Sequence, residues 1–170
     1  KGGSSGPPPL QGGARGGSST AGIFTRGCTQ SFKFINSGTI DPYQFLWGQK
    51  PVRYLKSKYA APVVPFHHQQ QISPKRWQQA QAPKIIVAGM TLVLECALDS
   101  TGEIFPGKST TVIRSSHDLR YVLAILNSRL MGVYYRTEFG GNALSGGYLR
   151  IGPPQIKQLP IVMGTERQQQ

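Results

Sequence analysis

Carboxylates are the scarcest chemistry in this chain. Seven Asp and Glu stand against nineteen Lys and Arg, a net charge of +12, and no acidic residue falls between Asp41 and Glu95. That balance argues against a cationic partner and favours a polyanion. Lys50, Arg53, Lys56, Lys58, Lys75, Arg76 and Lys84 all lie in the acid-free interval, which concentrates the attraction for phosphate there. A solvated basic face with no partner is the alternative reading of the charge alone.

Long apolar runs are missing as well. No stretch approaches the roughly 18 consecutive apolar residues of a membrane-spanning helix, and the start lacks the apolar core of a secretion signal. A membrane is therefore not an expected partner, and the cytoplasm is the expected compartment. Cysteine is reduced to Cys28 and Cys96, with neither the close spacing nor the local histidines of a structural zinc site, so both read as ordinary thiols. The adjacent His67 and His68 diverge on a strand and lie about 100° apart on a helix. Without a third ligand they predict no metal site.

Catalytic signatures are equally thin. There is no nucleophile elbow, no Gly-x-x-x-x-Gly-Lys-Ser/Thr loop, and no Gly-x-Gly-x-x-Gly turn leaving a strand. Asp99, Glu103, Asp118 and Glu138 read as turn, cap or surface groups. No catalytic residue is expected in the chain.

What is present begins with a Gly/Ser/Pro-rich stretch over residues 1–22, the composition of a flexible tether, which implies a further segment upstream. Residues 23–163 carry the apolar patterning of one domain, and 164–170 form a Gln-rich tail expected to be disordered. Phe32, Phe34 and Ile35 suggest a strand closed by the turn Asn36-Ser37-Gly38. Tyr43, Phe45, Trp47, Tyr54 and Tyr59 are interleaved with basic residues, a pattern of nucleic-acid surfaces that also serves small cores. Pro62, Pro65 and Pro74 interrupt regular structure, and the His67 to Gln71 region reads as a surface loop.

Residues 84–88 form a β-branched run and predict a buried strand. Thr91 to Leu98 predict a second strand hairpinned to it, and Thr110 to Arg114 a third after turns at Asp99 to Gly102 and Phe105 to Gly107, together an antiparallel meander. Ser115-Ser116-His117-Asp118 is a helix start, and Leu119, Val122, Leu123, Leu126 and Leu130 recur at helical spacing, predicting a helix over about 117–131. A second helical stretch is expected through Val133 to Phe139, with either Tyr134 or Tyr135 in the core. The expected fold is α+β, a twisted antiparallel sheet packed by one or two helices, with long loops.

Four pieces occur in a familiar order: the strand opened by Pro83-Lys84-Ile85-Ile86, the Gly-Lys-Ser-Thr segment at 107–110, the Leu126-Asn127-Ser128 helix, and the Leu159-Pro160-Ile161 ending. Over about residues 32–162 the text resembles the TaqI-like C-terminal specificity domain, the target recognition domain of adenine-specific N6 DNA methyltransferases and type II restriction-modification enzymes. The resemblance implies a chain that is not catalytic alone. It would hold double-stranded DNA for an N-terminal methyltransferase domain that binds S-adenosylmethionine, no cofactor being expected in this chain. The nearest approach to that catalytic motif, Asp41-Pro42-Tyr43, lacks a proline and an upstream glycine loop and reads as a turn.

Two physical roles follow. Phosphate contacts position a duplex and base-edge contacts read it. Lys56, Lys58, Lys84, Lys108 and Arg136 are candidates for phosphate, with Ser109 and Thr110 as hydroxyl donors beside Lys108. Arg53, Arg76, Gln78, Arg114 and Arg150 are candidates for base readout. Asn127 is expected to brace its helix end. The charge alone leaves open an RNA-binding module, a protein-interaction domain with incidental basicity, or a small autonomous enzyme.

Overall fold

The computed structural model describes Phe24–Thr25 and residues 30–162; the expected linker at 1–22, the tail at 164–170 and Cys28 lie outside the described residues. In chain order, β1 (Phe24–Thr25) and β2 (Ser31–Ile35) lead to a 3-10 turn at Ser37–Thr39, where the turn chemistry predicts one. Two short hairpins follow, β3 (Ile40–Asp41) with β4 (Gln44–Phe45) and β5 (Val52–Tyr54) with β6 (Ser57–Tyr59). Next come β7 (Pro62–Pro65), a 3-10 segment at Phe66–Gln71 that carries both adjacent histidines, and α1 (Pro74–Gln81). Pro74 starts this helix rather than interrupting structure. At the first helical position its missing N–H has no intrahelical acceptor to lose, and its fixed φ suits the turn.

The second half holds β8 (Lys84–Ala88), β9 (Met90–Thr91), β10 (Cys96–Asp99), β11 (Ile104–Pro106) and β12 (Thr110–Ile113). It ends with α2 (Leu119–Leu126), α3 (Arg129–Phe139), β13 (Leu149–Arg150) and α4 (Pro153–Ile156). The architecture is mixed α+β, as the patterning predicts. Two sheets dominate the described residues: β1-β7-β2-β11, in which β11 runs parallel to β2, and the antiparallel β10-β8-β12. Ile86 at the centre of β8 stands opposite Ala97 on one side and Val112 on the other.

Two strand expectations are corrected. Thr91 to Leu98 is not one strand: the Thr91 hydroxyl donates to the Val93 carbonyl and bends the chain, Thr91 pairs with Leu149, and only Cys96–Asp99 returns to β8. Nor is the region a simple meander. β11 leaves it to extend the other sheet, so β12 rejoins β8 from the opposite side.

β8 shows why its sequence after Lys84 is apolar without alternation, for all five of its residues are buried. Ile85 and Val87 pack with Val122, Leu123, Leu126 and Tyr135, whereas Ile86 and Ala88 pack with Ile35 and Ile104 from the other sheet and with Ile40 of β3. Phe32, Phe34 and Phe105 turn away from that seam toward Trp77 of α1. The layers therefore run helix, sheet, sheet, helices, each apolar side chain in the seam contributing roughly 1.5–3 kcal/mol by leaving water.

The helix expected over 117–131 ends early. Asp118 is the N-cap and accepts from the Arg120 amide at 2.7 Å, as its position predicts. Asn127 then turns its amide onto the edge of β10, accepting from the Cys96 N–H at 3.0 Å and donating to the Cys96 carbonyl at 2.9 Å. Ser128 caps a new helix by accepting from the Met131 amide at 3.1 Å. The break resets the helical phase, so Leu130, expected in the core, is 81% exposed while Tyr135 takes the buried place. Asn127→Ala is expected to cost about 2 kcal/mol in a denaturant melt, because the Cys96 amide would be left without its acceptor.

Cys96 itself is buried, and desolvation, with the Glu95 carboxylate adding to it, pushes its thiol up to about 12. In a Cys28→Ser background it is expected to resist thiol-reactive dyes near pH 8 until the chain is unfolded. Labelling of the folded chain would contradict that burial.

Candidate nucleic-acid interface

The β5–β6 hairpin is two-sided because a strand alternates its side chains. Val52 is buried and Tyr54 sets its ring edge-on to Phe34 at 5.3 Å, which anchors the inner face. Arg53 and Lys58 stand opposite one another on the outer face, both exposed. The loop between the strands is Leu55-Lys56, with φ of 45° and 67°. Two left-handed residues are what a tight two-residue hairpin turn demands, but Asn-Gly is its low-strain occupant, and a larger L-residue there costs roughly 1–2 kcal/mol each.

The root of this hairpin is tied to the Gly-Lys-Ser-Thr segment through β2. The Asn36 side chain donates to the Arg53 carbonyl at 2.8 Å. Next to it, Ser37 donates through its amide to the Ser109 hydroxyl at 3.2 Å and through its own hydroxyl to the Ser109 carbonyl. The Gly107 amide donates to the Ile35 carbonyl at 2.8 Å, so Lys108 projects, exposed, from a segment held on both sides.

Gly89 extends the same line. Its amide donates to Ser109 and Ser37, its carbonyl accepts from the Ile151 amide at 3.0 Å, and a Cβ at this position would strike the Ser109 carbonyl, so only glycine permits the approach. Ile151 follows Arg150, an exposed residue paired across β13–β9 with the equally exposed Met90. A continuous line of hydrogen bonds, the ridge, thus links the segments that carry Arg53, Lys56, Lys58, Lys108 and Arg150. Ser109 lies on the ridge and, among the described residues, its hydroxyl accepts without donating, whereas Thr110 donates its own proton to the Gly107 carbonyl at 2.8 Å and is structural.

The other candidates lie elsewhere. Lys84, expected at phosphate, is fully buried and paired with Asp99, so its ammonium cannot reach a ligand in this fold. Burial pulls its pKa down, against the hydrogen bond and charge of Asp99. Arg76 lies half-buried over the Phe105 ring at 4.8 Å and donates to the Pro106 carbonyl at 2.9 Å, which makes it a brace between α1 and β11. Burial lowers its pKa, with Tyr54 acting the other way. Gln78 is exposed on α1, and Arg114 follows the far end of β12. Arg136 donates to the Leu92 carbonyl at 2.6 Å from α3, beside a groove of about 530 Å³ lined by Arg129, Val133 and Val93.

Sequence reasoning missed Leu55, Asn36 and Ser37. The signal for the hairpin was the period-two run Val52-Arg53-Tyr54 and Ser57-Lys58-Tyr59, but a Leu-Lys loop carries no turn signature. Among the described residues no helix is long and apolar enough to cross a membrane, and no group of three or more His, Cys, Asp and Glu is placed to hold a metal ion. Gly140 and Gly141 follow α3 within a three-residue 3-10 turn, Gly140–Asn142, instead of opening an α-helix whose N-terminus would cradle a phosphate.

A sequence model of the TaqI-like C-terminal specificity domain matches residues 33–161. No curated protein matches the chain.

Proposed function

The chain belongs to the TaqI-like C-terminal specificity domains, DNA sequence-specificity modules of restriction-modification enzymes, and from that premise we propose that it reads duplex DNA for adenine-N6 methylation. In this reading Lys56, Lys58 and Lys108 take phosphates, with Ser109 donating beside them, and Arg53 and Arg150 reach base edges. The observation that carries it is the ridge itself, five exposed cations on one hairpin, one clamped loop and the β9–β13 strand pair, positioned by hydrogen bonds rather than by acidic partners.

The chemistry belongs to an N-terminal methyltransferase domain that binds S-adenosylmethionine. A surface suited to covering by such a domain exists on the helical layer, where Tyr121, Ile125, Leu130, Tyr134 and Val162 line an apolar groove of about 620 Å³. Fusion of the parent enzyme to an endonuclease is compatible with the same module.

Selection of retained sequences from a random duplex library, at low and moderate salt, tests the reading. Enrichment of one short motif is expected. Salt-sensitive retention without a motif would reduce the ridge to a generic polyanion surface, and preference for single-stranded or A-form RNA competitors would move the module to another nucleic acid.

A further inference from the structure

Three features of the β5–β6 hairpin are not what hairpin stability would select. Leu55 and Lys56 occupy left-handed φ at both central positions of the loop, where Asn-Gly relieves strain. Leu55 is 67% exposed although it is apolar. Arg53 and Lys58 repel each other directly across the strands, and among the described residues neither they nor Lys56 has an ion-pair partner. Strain kept at a rooted, exposed tip indicates that the side chains themselves have a use.

The root is firm enough to aim the tip. Val52 is buried, Tyr54 is packed on Phe34, and Asn36 fixes the Arg53 carbonyl. What projects is a narrow two-stranded ribbon with cations on one face and an apolar residue at its end. A major groove about 12 Å wide accepts a two-stranded ribbon, whereas a minor groove about 6 Å wide does not.

We propose that the hairpin formed by β5 and β6 is the reading element of this domain, entering the major groove of duplex DNA tip first. Leu55 meets apolar base edges such as the thymine methyl, Arg53 forks onto a guanine, and Lys56 and Lys58 hold the flanking phosphates. This rests on the duplex-binding reading above and adds which element reads and from which groove.

The test uses the whole 170-residue chain and the double substitution Leu55→Asn with Lys56→Gly. Relief of strain is expected to raise the melting temperature. At the same time affinity for the duplex selected by the unaltered chain should fall about tenfold or more, and preference should vanish at adjacent base pairs. Arg53→Lys, which keeps both charge and hairpin, should relax preference at one base pair about tenfold while leaving the salt dependence unchanged.

If the unaltered chain selects a motif and both variants select it equally well, the hairpin does not read and this inference falls while duplex recognition stands. If methylation of adenine N3 in the minor groove, and not guanine N7 in the major groove, blocks binding within the motif, the groove assignment is overturned. If the unaltered chain selects no motif, the specificity reading fails and takes this inference with it.

Discussion

Asp99→Ala is expected to lower the unfolding free energy by about 3–5 kcal/mol, the range for a buried pair that loses one partner. Asp99 is 4% exposed, and its carboxylate receives the Lys84 ammonium together with the amides of Gly102 at 2.9 Å, Glu103 at 3.1 Å and Ile104 at 3.0 Å. Removing it leaves an unpaired buried charge and strips three amides of their acceptor. Lys84→Met should cost less, about 1.5–3 kcal/mol, since the carboxylate keeps its three amides although it and the Ala80 and Ala82 carbonyls lose the ammonium as a donor. Denaturant melts of the two variants check the order, and a larger loss for Lys84→Met would contradict it.

The pH dependence of Asp99→Ala follows from the same burial. Desolvation already pulls Lys84 below its usual pKa, and without Asp99 it is pulled further. The unfolded chain then holds a proton on Lys84 that the folded chain resists, so stability of the variant rises with pH through that interval. Its deficit relative to the unaltered chain should be largest near neutrality and shrink as the pH rises toward the ordinary lysine pKa near 10.4. A deficit independent of pH would assign the loss to the three amides alone.

Combined replacement of Arg53, Lys56, Lys58 and Lys108 by alanine is expected to flatten the dependence of log binding constant on log salt by about 3, near 0.9 for each of the phosphates held by Lys56, Lys58 and Lys108. Affinity near 0.1 M salt should fall on the order of a hundred- to a thousandfold. All four positions are exposed, so the melting curve should stay close to that of the unaltered chain. Arg114→Ala and Arg136→Ala serve as comparisons off the ridge and are expected to leave the salt slope at its original value. Anisotropy titrations across a salt series measure both, and an unchanged slope in the fourfold variant would remove the ridge as the phosphate surface.

Much of the fold was legible because local chemistry and tertiary demand agreed. Residues 84–88 read as a buried strand and are one, since a strand covered on both faces shows no alternation of apolar and polar positions after Lys84. The helix start at Asp118 was legible because capping is decided within a single turn. The helix end was not. Asn127 breaks the helix through hydrogen bonds to Cys96, 31 residues away in the chain, and no periodicity in residues 117–131 encodes that distance. Leu130 was misplaced for the same reason, because its side of the helix depends on where the helix restarts.

The candidate interface divides along the same line. Charge imbalance, the acid-free interval from Asp41 to Glu95 and the ordered pieces of residues 83–161 are properties of the sequence, and they determined that the chain is a basic α+β specificity module. Which cations are available was decided only by tertiary structure. Lys84 and Lys108 are alike as text, yet one is sealed beside Asp99 and the other projects from a clamped loop. The physical reason is that a charge acts on a ligand only from where folding leaves it in water, and exposure at a given residue is set by strands and helices distant in sequence. The tip at Leu55 and Lys56 was hidden in the same way. Its left-handed backbone goes against local preference, so it persists only because the packed root of the hairpin imposes it.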